Sequence, residues 1–217
     1  QALTVQDAGA DAYNTAVGYA AGLSVSTGTR NTIIGGLAGD ALTTGHYNVA
    51  LGYAALSGED THSANTAIGY QALAAQNAGA DAYNVAIGYE AGASVTTGVD
   101  NVLIGASVDD ALTTGTANVA MGRAALSTED TAQYNTAVGN RAMSGLTSGY
   151  GNVAMGRDAL VTLTDGHINT ALGYQAMYDA TEAEENVAIG GYTAGDITTG
   201  KWNTAVGYAA LRSGTTT

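Results

Sequence analysis

Large apolar, small and polar residues alternate in short segments that repeat along the whole chain. A five-residue core, Asn-x-Ala-x-Gly, occurs twelve times, and its Ala is replaced only by Ile33 and Leu103. The second residue of the core is Thr or Val, and the fourth is Val, Ile, Leu or Met. This alternation predicts a short β-strand in each repeat, with one bulky face and one small face.

The spacing of the cores predicts the architecture. Successive cores are 17 residues apart in ten of the eleven intervals, and 19 apart between Asn65 and Asn84. Helical repeats need about 33 residues or more, so this repeat is too short for two packed helices. It suits one coil of a β-solenoid with two short strands, the second being the apolar segment after the core, such as residues 53–56. We therefore predict an all-β parallel β-solenoid (β-roll or β-helix) of about twelve coils.

Two residues of the core never vary. Stacked Asn side chains can hydrogen-bond to their equivalents in neighbouring coils, so we predict a structural ladder along the stack. The Gly closes each strand, where a positive φ or a close backbone approach excludes a Cβ. The ladder residues are Asn14, Asn31, Asn48, Asn65, Asn84, Asn101, Asn118, Asn135, Asn152, Asn169, Asn186 and Asn203. The coil-turn glycines are Gly18, Gly35, Gly52, Gly69, Gly88, Gly105, Gly122, Gly139, Gly156, Gly173, Gly190 and Gly207.

The array also contains a longer duplication. Residues 8–77 and 78–147 align without gaps with 41 identities, and further coils occupy residues 148–217. We interpret residues 1–217 as a single repeat array that grew by copying four-coil blocks, and we expect it to be part of a longer fibre. Such growth suits a spacer or a multivalent surface. An active site instead needs unlike residues at one point, so we do not expect an enzyme.

Charge narrows the range of partners. The chain has 19 acidic and 6 basic residues, a net charge of −13. This balance argues against binding nucleic acid or an anionic membrane surface. No apolar run approaches the roughly 20 residues of a membrane span, so we expect no membrane insertion.

Few residues suggest metal or cofactor chemistry. His46, His62 and His167 have no ligand-like spacing, and we interpret them as exposed turn residues. Segment 7–11 and its copy 77–81 contain Gly and Asp as calcium-binding turns do, but they lack the full nine-residue pattern. We expect no cofactor, with calcium as the alternative.

The residue before each ladder Asn is the most variable. Aromatic residues at this position could contact a receptor, for instance by stacking on sugars, or lie between subunits, and we favour the interface. They are Tyr13, Tyr47, Tyr83, Tyr134 and Trp202.

The cores, extended at residues 65–73 as Asn-Thr-Ala-Ile-Gly-Tyr-Gln-Ala-Leu, resemble the repeats of bacteriophage tail-fibre and host-specificity proteins. They also resemble the β-roll head of trimeric autotransporter adhesins. The adhesin coil is shorter, and its second residue is Ser, which is never found here, so the phage fibre is favoured. The resemblance implies a homotrimer located in an extracellular virion tail fibre, or on the bacterial outer surface if the chain is an adhesin head.

Three functions follow as expectations. The first is a structural tail-fibre segment that supports or contributes to attachment, possible partners being a host cell-surface glycan or protein. The second is an adhesin head that binds matrix or cell surfaces. The third is an ice-binding solenoid, which the irregular alternation of Thr and Val disfavours. A thin coil leaves apolar surface that symmetric association would bury. That surface is either the aliphatic strand face or a tyrosine column at Tyr19, Tyr53, Tyr70, Tyr89, Tyr174 and Tyr208.

Overall fold

The computed structural model describes residues 1–7, 11–58, 61–79, 81–128 and 131–212. Within these ranges the chain has no helix and forms twelve three-residue strands that stack in chain order into one sheet. The strands are β1 (Thr15–Val17), β2 (Thr32–Ile34), β3 (Val49–Leu51), β4 (Thr66–Ile68), β5 (Val85–Ile87), β6 (Val102–Ile104), β7 (Val119–Met121), β8 (Thr136–Val138), β9 (Val153–Met155), β10 (Thr170–Leu172), β11 (Val187–Ile189) and β12 (Thr204–Val206). The predicted all-β parallel solenoid is confirmed.

Strand pairing keeps equivalent residues of neighbouring coils in register. Thr15 of β1 lies opposite Thr32 of β2, one repeat later. The same register holds across the 19-residue coil, where Thr66 of β4 lies opposite Val85 of β5. The two extra residues of that coil are therefore accommodated outside the strands.

The small face of each strand packs inside the coil. The third residue of the core is fully buried in every strand except the first and the last, as at Ala50 and Ala67. The fourth residue points away from the interior, and Leu51 is 43% exposed. Because the coil is thin, its interior accepts Ala at most strand positions, and the bulky side chains form the outer face of the sheet.

The predicted second strand is wrong. Residues 53–56 form turns, in which Ala54 and Leu56 have left-handed φ values of 52° and 54°. Ala55 and Leu56 are consecutive and both fully buried, whereas successive side chains of a strand point to opposite faces. The amide of Ala54 donates to the preceding coil and that of Leu56 to the following one, so the segment is hydrogen-bonded to both neighbours without being a strand.

The ninth residue of a coil, counted from its ladder Asn, shares the interior with the third residue of the strand core. In the coil whose ninth residue is the large Leu73, the strand contributes the small Ala67. Where the ninth residue is Gly92, the strand of the next coil contributes Leu103, and its Cδ1 lies 2.6 Å from the place a Cβ on Gly92 would occupy. The absent side chain makes room for the large one, which explains why Ala of the core is replaced at Leu103.

Candidate interaction surface

The twelve ladder asparagines join neighbouring coils through their side chains. The amide of Asn48 donates to Oδ1 of Asn31 over 2.9 Å, and Nδ2 of Asn31 donates to the carbonyl of Gly45 over 2.8 Å. The same pattern recurs up the stack, and in the upper coils Nδ2 also reaches the preceding Asn, as from Asn169 to Asn152 over 3.0 Å. Apart from the partly exposed Asn14 and Asn203, the ladder side chains are buried. The ladder is therefore a structural element with no face open to a ligand.

Asn65 departs from this pattern. Its Oδ1 accepts from the amide of Asn84 over 3.2 Å, but its buried Nδ2 makes no hydrogen bond with the described residues. Nδ2 of Asn84 donates to the carbonyl of Gly98 over 2.8 Å, as in the other coils, and also to Oε1 of Gln76, a buried residue of the 19-residue coil, over 2.8 Å.

The coil-turn glycines lie where two coils touch through their backbones. Gly105 has a φ of +142°, and a Cβ there would lie 2.8 Å from the carbonyl oxygen of Gly122 in the next coil. Both the dihedral angle and the contact exclude a larger residue. These glycines set the bend after each strand.

The outer face of the sheet carries no charged residue in its strands and is mostly apolar. Only Thr and Val occupy the second position of the core, and only Val, Ile, Leu and Met the fourth. Six of the fourth residues are exposed, for example Met155 at 45% and Val206 at 66%, and the other six are partly exposed. A continuous exposed apolar surface of this kind is typical of protein interfaces.

The aromatic residues before the ladder asparagines border this face. Tyr13, Tyr47, Tyr83, Tyr134 and Trp202 all project into solvent, between 56% and 76% exposed. Each has a left-handed φ between 52° and 60°. They lie in one column along the rod. This position is compatible with either a subunit interface or a receptor contact.

One of these residues borders a cavity of about 290 Å³. Tyr134 lines it with Tyr150, Gln133, Thr131 and Ser148, from two neighbouring coils. The pocket therefore offers two rings, an amide and two hydroxyl groups in one place. Sequence reasoning identified Tyr134 but missed the others, because only the stacking of the coils brings them together.

The tyrosine column lies beyond the bend that follows each strand. Tyr53, Tyr70 and Tyr89 stack face to face, with ring centroids 5.6 and 5.2 Å apart. A hydrogen bond with the neighbouring Glu90 raises the pKa of the Tyr89 hydroxyl. The spacing of the rings follows from the inter-strand distance of about 4.8 Å.

The interpretation of the histidines as exposed residues is wrong: His62 is buried, and His46 and His167 are half-buried. Half-buried His46 accepts a hydrogen bond at Nδ1 from the amide of Thr29 over 3.0 Å. His167 lies 3.6 Å from Glu184, and a hydrogen bond from Lys201 lowers the pKa of that carboxyl group.

No set of three or more potential ligands that could hold a metal ion occurs in the described ranges. Residues 8–10 and 80, which contribute to the calcium-like segments, lie outside those ranges. Among the described residues, no helix is long and apolar enough to cross a membrane.

No protein-family model, no curated protein and no solved structure matches the chain.

Proposed function

We propose that the chain is a stiff structural segment of a surface fibre, a bacteriophage tail fibre, that supports or contributes to attachment to the host cell. The observation that carries this proposal is the uniform rod itself. Twelve coils repeat the same buried ladder and the same register, so most residues maintain the stack. The proposal assigns the rod no catalytic role, because a regular array presents similar side chains at each level.

The proposal includes assembly as a homotrimer through the outer face of the sheet. Supporting it, no charged residue occupies the second or fourth position of any core. Eleven spacings of about 4.8 Å and three strand residues of about 3.3 Å give this uncharged face an area of roughly 520 Å². Three such faces turned toward one axis would cover the apolar surface by closed symmetry.

Light scattering coupled to size-exclusion chromatography tests the assembly. The expected mass is three times the 21.5 kDa of one chain. The double variant Leu51→Lys/Met155→Lys puts two charges on the sheet face and should dissociate the assembly. The matched variant Thr44→Lys/Thr114→Lys places the same charges on exposed turns outside the sheet and should leave the mass unchanged. A monomeric wild-type chain would refute the trimer.

A further inference from the structure

Half of the basic residues of this acidic chain lie together on one surface. The chain has six Lys and Arg in total, and Arg123, Arg141 and Arg157 occur on three consecutive coils. They follow the strand-closing glycines, at the sixth or seventh position of the coil, where the bend turns the chain away from the sheet face. At about 4.8 Å per coil, the three guanidinium groups attach to the backbone within about 10 Å along the rod. We call these three residues the arginine cluster.

One buried carboxylate holds part of the cluster in place. Asp158 has a side chain only 3% exposed, and it lies 3.5 Å from Nε of Arg141 and 3.4 Å from Nε of Arg157. Both contacts use Nε, and only Arg157 has a further neighbour at its forked end among the described residues. Nη1 of Arg157 lies 3.4 Å from the hydroxyl of Tyr174, above whose ring the guanidinium is stacked.

The cluster keeps an excess of positive charge. Asp158 supplies one negative charge against three positive ones. Among the described residues, the Nη groups of Arg123 and Arg141 make no hydrogen bond or ion pair, and both side chains are exposed. Guanidinium groups bind carboxylate, sulfate and phosphate through paired hydrogen bonds, so the cluster offers unused donors for anionic groups.

We propose that the arginine cluster binds an acidic polysaccharide, a sugar chain carrying carboxylate or sulfate groups. Nucleic acid does not fit, because its dense phosphate charge would be repelled by the net charge of −13 over the rest of the rod. A polysaccharide with well-separated charges can place a charge at the cluster without bringing its other charges against the acidic surface. The exposed ring of Tyr174 beside Arg157 adds an apolar surface on which a sugar ring can pack. In a trimer, three clusters would bind one long chain with increased avidity.

This inference deepens the proposed function, because it names the chemical class of surface to which the rod would attach. It rests on that function for its setting, and its chemistry depends on the cluster alone.

Binding to immobilised polysaccharides tests the inference. The probes are hyaluronate and κ-carrageenan, which carry one carboxylate or one sulfate per disaccharide, uncharged dextran and a single-stranded oligonucleotide. The test variant Arg123→Gln/Arg141→Gln keeps Arg157 beside the buried carboxylate. The control Lys201→Gln/Arg212→Gln makes the same change of charge at two exposed basic residues elsewhere on the rod.

Wild-type protein should bind both acidic polysaccharides and not dextran. Loss of even one charge-assisted contact should weaken binding by the test variant about tenfold or more, while the control should stay within about twofold of wild type. Equal loss in both variants, an oligonucleotide bound as tightly as the polysaccharides, or no binding at all would overturn the inference.

Light scattering on the same samples separates the two proposals. A trimer that binds no acidic polysaccharide would overturn this inference and leave the fibre proposal standing. A monomer that binds through the cluster would support this inference and refute the trimer.

Discussion

The ladder predicts that two chemically identical substitutions differ in cost. Asn152 and Asn65 occupy equivalent positions and both are fully buried. Oδ1 of Asn152 accepts from the amide of Asn169 over 3.0 Å, and its Nδ2 donates to the carbonyl of Gly166 over 2.8 Å. Replacement by Ala would leave that amide and that carbonyl buried without partners. At about 1–3 kcal/mol for each group, the cost is about 2–6 kcal/mol.

Asn65→Ala is the matched comparison. Its side chain satisfies only the amide of Asn84, since its Nδ2 has no partner among the described residues. The cost from the amide of Asn84 is therefore about 1–3 kcal/mol, and removal of the unpartnered Nδ2 offsets part of it. Loss of side-chain volume is the same in both variants. The difference of at least about 1–3 kcal/mol thus reports the carbonyl that only Asn152 satisfies and the unpartnered Nδ2 that only Asn65→Ala removes.

Two measurements check this difference. Denaturant unfolding followed by circular dichroism gives the change in free energy, with the slopes compared to establish that both variants unfold in the same way. Because a stacked array can open locally, hydrogen exchange at the amides of Asn169 and Asn84 locates the effect. Protection of each amide should fall in the variant that removes its acceptor. Equal destabilisation, or a larger loss at Asn65, would refute the reasoning.

Three further substitutions test other parts of the rod. Gly105→Ala should lower the unfolding free energy by at least about 2 kcal/mol, because its φ of +142° and its contact with the next coil both exclude a Cβ. The control Gly36→Ala should stay within about 0.5 kcal/mol of wild type, since the nearest atom to its added Cβ would be 3.5 Å away. Leu103→Ala should lower the unfolding free energy by about 2–5 kcal/mol. The double variant with Gly92→Ala should lose less than the sum of the two single changes, because the added methyl group fills part of the space left by Leu103. Strictly additive losses in denaturant unfolding would contradict this shared space. Burial raises the pKa of Asp110, so the folded state disfavours its ionised form, and the resulting loss of stability is present above that raised pKa and disappears as the pH falls through it. Asp110→Asn should therefore raise the unfolding midpoint at pH 7 but not at pH 3, and the same gain at both values would argue against this cause.

The repeated core was enough to predict the solenoid, because both its period and its alternation have few structural solutions. The second strand was not predictable from the same reasoning. In residues 53–56, Ala-Ala-Leu gives no sign that Ala54 and Leu56 adopt left-handed φ values, since neither residue favours that region. Stacking makes the conformation possible, because their amides are hydrogen-bonded to the coils on either side.

The candidate surfaces were predicted only in part. The aromatic column was visible in the sequence because its residues share one position of the repeat. The arginine cluster was not, since Arg141 occupies a different repeat position from Arg123 and Arg157, and its partner Asp158 gave no sign of being buried. Contacts between coils depend on which coil each residue belongs to as well as on its repeat position. A comparison of repeat positions alone leaves the first of these out.

The backbone before each ladder asparagine explains how such a rod can acquire binding sites. Arg30, Asp100 and Trp202 differ in charge and size, yet their φ values are 60°, 61° and 59°. The stack therefore fixes this conformation whatever the side chain is, because the amide of each residue bonds to the preceding coil. Duplication of coils preserves the ladder and the glycines, while outward positions can change without disturbing either. Specificity in this fold consequently depends on which side chains neighbouring coils bring together, as in the arginine cluster.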